Sequence, residues 1–296
     1  SQNAYTIVPV YKGDYVETLT SFAAAYRAKK PPQLVQVFEV GTNLMLSPKG
    51  IIKPVEVLMR EQKVALPKDD FIPSVRAFYS RNGQLMAMPF NLSAPVLYFN
   101  QAAQTKAGFD ADHLPKTWAE FEVLARALKK QGYECTYTTA YPGWILVESY
   151  LAIHGLSMDP MHLKGHLNRL KRWQDLKYFR YGGRVDDASV LFTSGVCPMF
   201  SQSSGAYNSL KALVPFPLGV MALPLDTTVS STRHPNVAGG AALWAVAGLS
   251  ENEYRGIAQF FAYLARPETQ SQWHAHTGYL PLGLTGSYAS ITTTSN

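Results

Sequence analysis

The sequence predicts an α/β protein of two domains that share strands rather than a tether, and three observations carry that expectation. Short apolar runs alternate with stretches of helical periodicity along the whole chain. The 296 residues accommodate two cores of roughly 150 residues each. No linker rich in Pro, Gly or Ser divides the chain, so two domains would be joined by strands passing between them. Alternation of strands and helices also predicts mainly parallel sheets. With 47% hydrophobic and only 16% charged residues, the composition excludes a disordered chain. Two cysteines exclude a disulfide-dense miniprotein.

The elements follow in order. Residues 5–10 read as a strand, and residues 15–29 as a helix with Leu19, Phe22, Ala23 and Tyr26 on one face. Residues 34–40 (Leu-Val-Gln-Val-Phe-Glu-Val) read as a strand. Residues 84–90 and 95–100 read as two strands separated by residues 91–94. Thr117 opens a helix: with Glu120 it forms a capping box, Phe121, Leu124, Ala125 and Leu128 follow at helical spacing, and Gly132 ends it. Residues 196–201 predict a strand, 205–213 a short helix and 218–223 another strand. Residues 226–235, rich in Ser and Thr, predict a loop. Residues 241–247 read as a strand and 251–265 as a helix running into Arg266-Pro267. The tail from residue 283 to 296 is rich in Ser, Thr and Gly and is expected to be loose.

Several function classes fall away on the same reading. No apolar run approaches the roughly 18 residues that span a bilayer, and residues 239–249 read instead as a buried strand. The polar start, Ser1-Gln2-Asn3-Ala4, shows no secretory signal region. The net charge of +6 is spread out, and its densest cluster (Lys164, Arg169, Lys171, Arg172) has the spacing of a solvated helix face, so nucleic acid is not an expected partner. No GxGxxG, GxxxxGK[ST] or GxSxG occurs, which removes the sharpest signals for a dinucleotide, a P-loop or a nucleophile elbow. No cofactor is expected. His162 and His166 share a helix face at metal-ligand spacing but lack the HExxH glutamate, and His274 and His276 read as polar residues at a frayed helix end, so no metal is expected either. Cys135 and Cys197, each in a strand-like run, read as two buried thiols or as one disulfide.

Three features point toward a small-molecule site. Ser203 and Ser204 follow a strand and open a helix, where hydroxyls and unpaired N–H groups attract an anion, although serine also serves as an ordinary N-cap there. Tyr141-Pro142-Gly143-Trp144 is a Pro-Gly loop carrying two aromatics, suited to a sugar face or an organic cation, or to plain packing. Tyr15 and Tyr279 are further aromatics at element ends, and Glu39 ends an apolar strand, where a carboxylate reaches solvent or bonds ligand hydroxyls.

A family resemblance rests on stretches in order along nearly the whole chain. They include Ile7-Val8-Pro9-Val10-Tyr11-Lys12-Gly13-Asp14-Tyr15, Leu34-Val35-Gln36-Val37-Phe38-Glu39-Val40-Gly41, Pro89-Phe90-Asn91-Leu92-Ser93, Ser203-Ser204-Gly205, Gly239-Gly240-Ala241 and Thr277-Gly278-Tyr279-Leu280-Pro281. The chain resembles the maltose-type solute receptors of ABC importers, in their glycerol-3-phosphate and glycerophosphodiester branch. That resemblance implies a two-lobed periplasmic-binding-protein fold of type II with the ligand in the cleft. Residues 1–98 with 243–296 would form one lobe and 99–242 the other.

It also implies a non-enzymatic receptor in the periplasm that hands its ligand to a membrane permease. Glu39 would accept from glycerol hydroxyls, Ser93 and Ser203 would face phosphate oxygens, and Tyr279 would donate its hydroxyl. The Gly240 N–H would approach the ligand, Tyr15 would line the site, and Tyr141 and Trp144 would wall it. Cys135 and Cys197 would pair. The family pattern adds a strand and helix before residue 5, and a longer C-terminal region with a phosphate-binding Arg. No stretch of this sequence matches either. A neutral-sugar receptor of the same fold is the alternative, and a two-lobed phosphodiesterase a more distant one.

Overall fold

The computed structural model describes residues 5–47, 50–110 and 113–283. The polar start (residues 1–4) and residues 284–296 of the Ser/Thr/Gly tail lie outside the described residues. The chain divides into two compact units: residues 1–92 with 239–296, and residues 93–238. The exchange points thus fall at 92/93 and 238/239, earlier than the expected 98/99 and 242/243. The physical reason is that β-strands 95–100 and 239–246 each bury their full length in one unit's sheet, so the division falls at their starts.

In the first unit, helix α1 (Tyr15–Arg27) begins at an Asp14 N-cap with a complete capping box to Glu17. Strand β1 (Leu34–Phe38) runs into a 3₁₀ turn (Glu39–Gly41) and helix α2 (Thr42–Leu46). Strand β2 (Ile52–Lys53), helices α3 (Val55–Glu61) and α4 (Pro73–Phe78), and a small hairpin of β3 (Ser80–Arg81) and β4 (Gln84–Leu85) follow. The hairpin turn is Asn82-Gly83, both at positive φ (51° and 75°), the conformation an Asn-Gly pair adopts most cheaply. Strand β5 (Met88–Ser93) then leads out of the unit.

The second unit opens with β6 (Pro95–Asn100) and α5 (Gln101–Lys106). Helix α6 (Trp118–Lys130) has the expected Thr117–Glu120 capping box. It is followed by β7 (Tyr137–Thr139), a π-helical turn (Gly143–Glu148), α7 (Ser149–Ile153) and α8 (Pro160–Asp175). Helix α9 (Ser189–Thr193), β8 (Met199–Ser203), a 3₁₀ turn (Ser204–Ala206), α10 (Tyr207–Leu213) and β9 (Leu218–Ala222) complete it. The chain returns through β10 (Gly239–Val246) to α11 (Glu251–Leu264) and α12 (Pro267–Thr277) in the first unit. No helix among the described residues is long and apolar enough to cross a membrane.

The first unit's sheet has the order β1-β10-β2, with β5 also pairing β10. The second unit's sheet has the order β7-β8-β6-β9. Here the expectation of mainly parallel sheets fails. Strand β10 runs antiparallel to β1 and β2, and β6 runs antiparallel to β8 and β9, leaving β7–β8 as the parallel pair in these registers. The crossing strands β6 and β10 enter at the centre of each sheet against their neighbours' direction, which helix–strand alternation does not reveal.

Each core is built by strand alternation. In β6, Leu97 and Phe99 join one apolar cluster of the second unit, while Val96 and Tyr98 join another. In β8, Met199 and Phe200 divide the same way, so the sheet is covered on both faces. The first unit's core gathers Phe22, Val35, Val37, Leu58, Trp244 and Phe261.

Four further expectations are corrected. Residues 5–10 form no strand: Ile7, Val8 and Val10 are 47%, 74% and 65% exposed, no described strand pairs with them, and Pro9 offers no N–H to a ladder. The 84–90 strand breaks after Leu85, and only Ala94 separates β5 from β6. Arg169 is not part of a solvated face, because it turns inward to the buried Asp226. Cys135 and Cys197 precede strands rather than lying in them, and they form a disulfide with Cα atoms 4.9 Å apart.

Candidate functional site

The first unit gathers Tyr15, Glu39, Gly240 and Tyr279. Register explains the pairing of Glu39 with Gly240. Phe38 lies opposite Ala241 in the antiparallel β1–β10 ladder, so the next residues along, Glu39 and Gly240, meet where the ladder ends. The Gly240 N–H donates to Glu39 Oε2 at 3.1 Å. Gly240 sits at φ 129°, and a Cβ there would stand 1.7 Å from the Asn91 carbonyl oxygen, so β5 approaches as closely as glycine alone permits.

Tyr15 stands at the first position of α1, with its ring stacked on Phe38 (centroids 5.2 Å apart, 6° between planes). Burial pushes its phenol far above the usual range, and the neighbouring Tyr279 and Glu39 add to that push. Tyr15 therefore remains an O–H group at any physiological pH. Its hydroxyl hydrogen-bonds the side chains of Asn91 and Tyr279. Tyr279 follows Gly278, which ends α12 in the left-handed conformation (φ 87°). Its ring stacks on Trp273 at 6.2 Å and 8°. The His274 ring holds the Tyr279 carbonyl at 2.7 Å, and the Leu280 N–H donates to the Leu92 carbonyl. The expected helix end at His274 and His276 is thus ordered, and His274 positions the turn that carries Tyr279.

The second unit gathers Ser93, Ser203, Ser204, Tyr141 and Trp144. Pro95 pairs with Ser203 in the β6–β8 ladder, which places Ala94 opposite Ser204 one step on. The Ala94 N–H donates to Ser204 Oγ at 3.2 Å, and the Gly205 N–H donates to Ser203 Oγ at 3.1 Å. Each serine hydroxyl thus spends a lone pair on a backbone N–H, which leaves its own O–H to donate. Tyr98 donates to the carbonyls of Ser203 and Ser204 and fixes the turn from below. The buried Gln202 accepts the Ser203 N–H at 2.7 Å and donates to Asp186 at 2.5 Å. Ser203 is followed by a single 3₁₀ turn and a seven-residue helix, so the expected attraction of a helix start is small here and the hydroxyls are the stronger feature. Ser93 is 3% exposed at the exchange point between the units.

Tyr141 and Trp144 lie just beyond β7, on the same side of the sheet as Ser203, because β7 and β8 are parallel with Thr139 opposite Ser201. Ligand-bearing loops collect at this carboxyl end of parallel strands. The two rings meet edge to face at 6.5 Å. Tyr141 holds φ 42°, an uncommon conformation for a bulky residue, and the Tyr141 N–H donates to the Val185 carbonyl at 2.8 Å.

Neither histidine pair forms a metal centre among the described residues. His166 is fully buried against Tyr150 (3.9 Å, 15°), whereas His162 bonds the Ser157 carbonyl near the surface. Surface cavities of about 600 and 460 Å³ in the second unit are lined by residues such as Lys129, Cys135, Leu167 and Tyr181, away from the serines.

Sequence reasoning missed Asn91, Phe38, His274 and Gln202. Asn91 carried a readable signal, since it is an amide within an otherwise apolar run, whereas Gln202 sits among serines and carried none. The stacking of Phe38 and the carbonyl contact of His274 carried none.

The model of bacterial extracellular solute-binding proteins matches residues 1–296. The chain belongs to that family. Among the relatives of this solute-binding protein, the sn-glycerol-3-phosphate-binding periplasmic protein of Yersinia pseudotuberculosis is 36% identical over 301 residues, covering 95% of this chain and 68% of the relative. The protein of the same name from Escherichia coli K12 is 36% identical over 297 residues, covering 94% and 67%.

In fold, the solute-binding protein is similar to UgpB of Mycobacterium tuberculosis, solved with glycerophosphocholine. The TM-score is 0.79 at 23% identity, covering 93% of this chain and 73% of that one. It is also similar to the GacH receptor of Streptomyces glaucescens, solved unliganded and with acarbose, with a TM-score of 0.77 at 19% identity, covering 95% and 73%. The two-lobed α/β fold of these receptors is therefore the fold of this chain.

Proposed function

We propose that this solute-binding protein captures sn-glycerol-3-phosphate or a glycerophosphodiester such as glycerophosphocholine in the periplasm and delivers it to an ABC permease. The observation that carries the reading is the pair of serine hydroxyls, Ser203 and Ser204, each already accepting a backbone N–H and so left to donate. Each hydroxyl keeps its O–H to donate, which suits a phosphate, whose oxygens accept. The 36% identity to glycerol-3-phosphate-binding relatives supports the same ligand class. In the first unit, Glu39 is the acceptor for glycerol hydroxyls, and Tyr15 and Tyr279 supply phenolic donors. Tyr141 and Trp144 offer faces for a choline cation.

The process is binding and delivery of the ligand, with no bond made or broken. Calorimetric titration with glycerol-3-phosphate, glycerophosphocholine and maltose tests the reading. We expect saturable binding of one or both phosphate esters, weakened about tenfold or more in Ser203→Ala, because a hydrogen bond to a charged group contributes about 1.5–3 kcal/mol. Glycerophosphocholine recovered intact after incubation fits a receptor. Binding of maltose without either ester would overturn the reading in favour of a sugar receptor.

A further inference from the structure

The two serines of the second unit are fixed in different ways. Ser204 is latched to the Ala94 backbone twice: its N–H donates to the Ala94 carbonyl at 2.9 Å, and its hydroxyl accepts the Ala94 N–H at 3.2 Å. The Ser203 N–H faces the other way, toward β7. In the parallel β7–β8 pair, the Met199 N–H donates to the Thr136 carbonyl and the Ala140 N–H to the Ser201 carbonyl. Extended as far as Ser203, that register would give its N–H to the Ala140 carbonyl. By that point β7 has ended, and the chain turns at Tyr141 (φ 42°). The buried Gln202 side chain takes the bond instead, its Oε1 accepting the Ser203 N–H at 2.7 Å.

A primary amide can present either its oxygen or its NH₂ to a neighbour. Asp186 removes that choice. An ionised carboxylate only accepts, so Gln202 must turn Nε2 toward Asp186 Oδ1, at 2.5 Å, which leaves Oε1 for Ser203. Asp186 is itself held. Its Oδ1 also accepts the Ser189 hydroxyl, and the carbonyl of the preceding Val185 accepts the Tyr141 N–H at 2.8 Å, tying this loop to the end of β7.

We propose that Asp186 is a positioning residue for ligand capture: through Gln202 it fixes Ser203 where β7 no longer reaches. It acts at one remove from the ligand. The Ser203 hydroxyl follows its own backbone, whereas Ser204 keeps its separate latch to Ala94. The inference rests on the phosphate-ester reading above and adds the residue that holds one of its hydroxyls.

Calorimetric titration of sn-glycerol-3-phosphate tests this on the unaltered chain, on Asp186→Asn and Asp186→Ala, and on each of these combined with Ser203→Ala. Asn and Ala both remove the charge, but Asn keeps an oxygen for Gln202, so the difference between them reads the bond alone. Asp186→Ala should bind about fivefold more weakly than Asp186→Asn, the worth of one ordinary hydrogen bond. Combined with Ser203→Ala, that difference should vanish, because a residue acting through Ser203 then has nothing left to position. Equal affinities of Asp186→Asn and Asp186→Ala would overturn the proposal. So would a difference that persists in the Ser203→Ala background.

The ¹⁵N–¹H resonance of Ser203 in the unliganded protein gives a readout that needs no ligand. It should stay nearly in place in Asp186→Asn and move upfield in Asp186→Ala and in Gln202→Met. Met keeps the bulk of Gln and drops both bonds, so it carries the comparison where Asp186→Ala fails to fold. A Ser203 amide that ignores Gln202→Met overturns the relay. Failure of glycerol-3-phosphate to bind the unaltered chain would instead strike the functional reading, while the amide shifts would still decide the relay.

Discussion

Replacing both Cys135 and Cys197 by alanine should destabilise the second unit heavily and leave ligand binding nearly untouched. The disulfide joins residues 62 apart in sequence. In the chain-entropy account a loop of that size is worth about 4 kcal/mol, because the crosslink removes conformations from the unfolded chain. Both cysteines are buried, at 2% and 0% exposure, so alanine is the better replacement; serine would add a buried hydroxyl in need of a partner. For a unit of about 150 residues, 1 kcal/mol corresponds to roughly 2–4 °C, so the loss should lower its melting temperature by about 10 °C.

The structure places this effect away from the candidate ligand residues. Cys135 and Cys197 precede the starts of the parallel strands β7 and β8, whereas Tyr141 and Ser203 lie at or beyond their ends. Five strand residues separate the two ends of β8 by roughly 17 Å. Differential scanning calorimetry of both proteins, with calorimetric titration of glycerol-3-phosphate below the transition, measures the two quantities. A melting shift under about 3 °C would refute the loop-entropy reasoning. A loss of affinity beyond about threefold would refute the separation of crosslink from site.

Three other expectations can be checked alongside. Gly240→Ala should cost more than about 3 kcal/mol, since it forces a Cβ to within 1.7 Å of the Asn91 carbonyl and strains a φ of 129°; thermal melting or soluble yield will report it. Acid should weaken the second unit from about pH 6.5 downward, because burial, with the nearby Arg169, depresses His166 to about 3. The unfolded chain then binds a proton that the folded one refuses, and stability falls by up to about 1.4 kcal/mol per pH unit in that window. His166→Phe keeps the stack on Tyr150 and should flatten this slope in denaturant titrations between pH 6.5 and 5, and an unchanged slope would count against the assignment. Tyr141→Asn suits the positive φ of 42° and removes the ring, so affinity for glycerophosphocholine should fall while that for glycerol-3-phosphate changes little.

Much of the fold was legible because local rules dominate it. The Thr117–Glu120 capping box and the periodic Phe121, Leu124, Ala125 and Leu128 determine α6 from neighbours within one or two turns. The continuous apolar run at 239–249 determined that β10 would be buried. Tyr15, Glu39, Ser203, Ser204 and Tyr279 were nameable because polar and aromatic residues at element ends are chemically unusual, and because they lie in stretches that resemble a known family.

The rest required tertiary structure, since it depends on partners distant in sequence. Strand direction is one case: β6 and β10 run against their neighbours, which no local pattern encodes. The segment at 5–10 is another. Its short apolar run matches a strand, but a strand exists only where a neighbour offers hydrogen bonds, and no described strand does. Finally, the sequence determined that residue 240 is glycine and residue 39 glutamate, two hundred and one positions apart. Only the antiparallel register of β1 on β10 decided that the carboxylate accepts that glycine's N–H, because register is a property of the folded sheet and not of either segment.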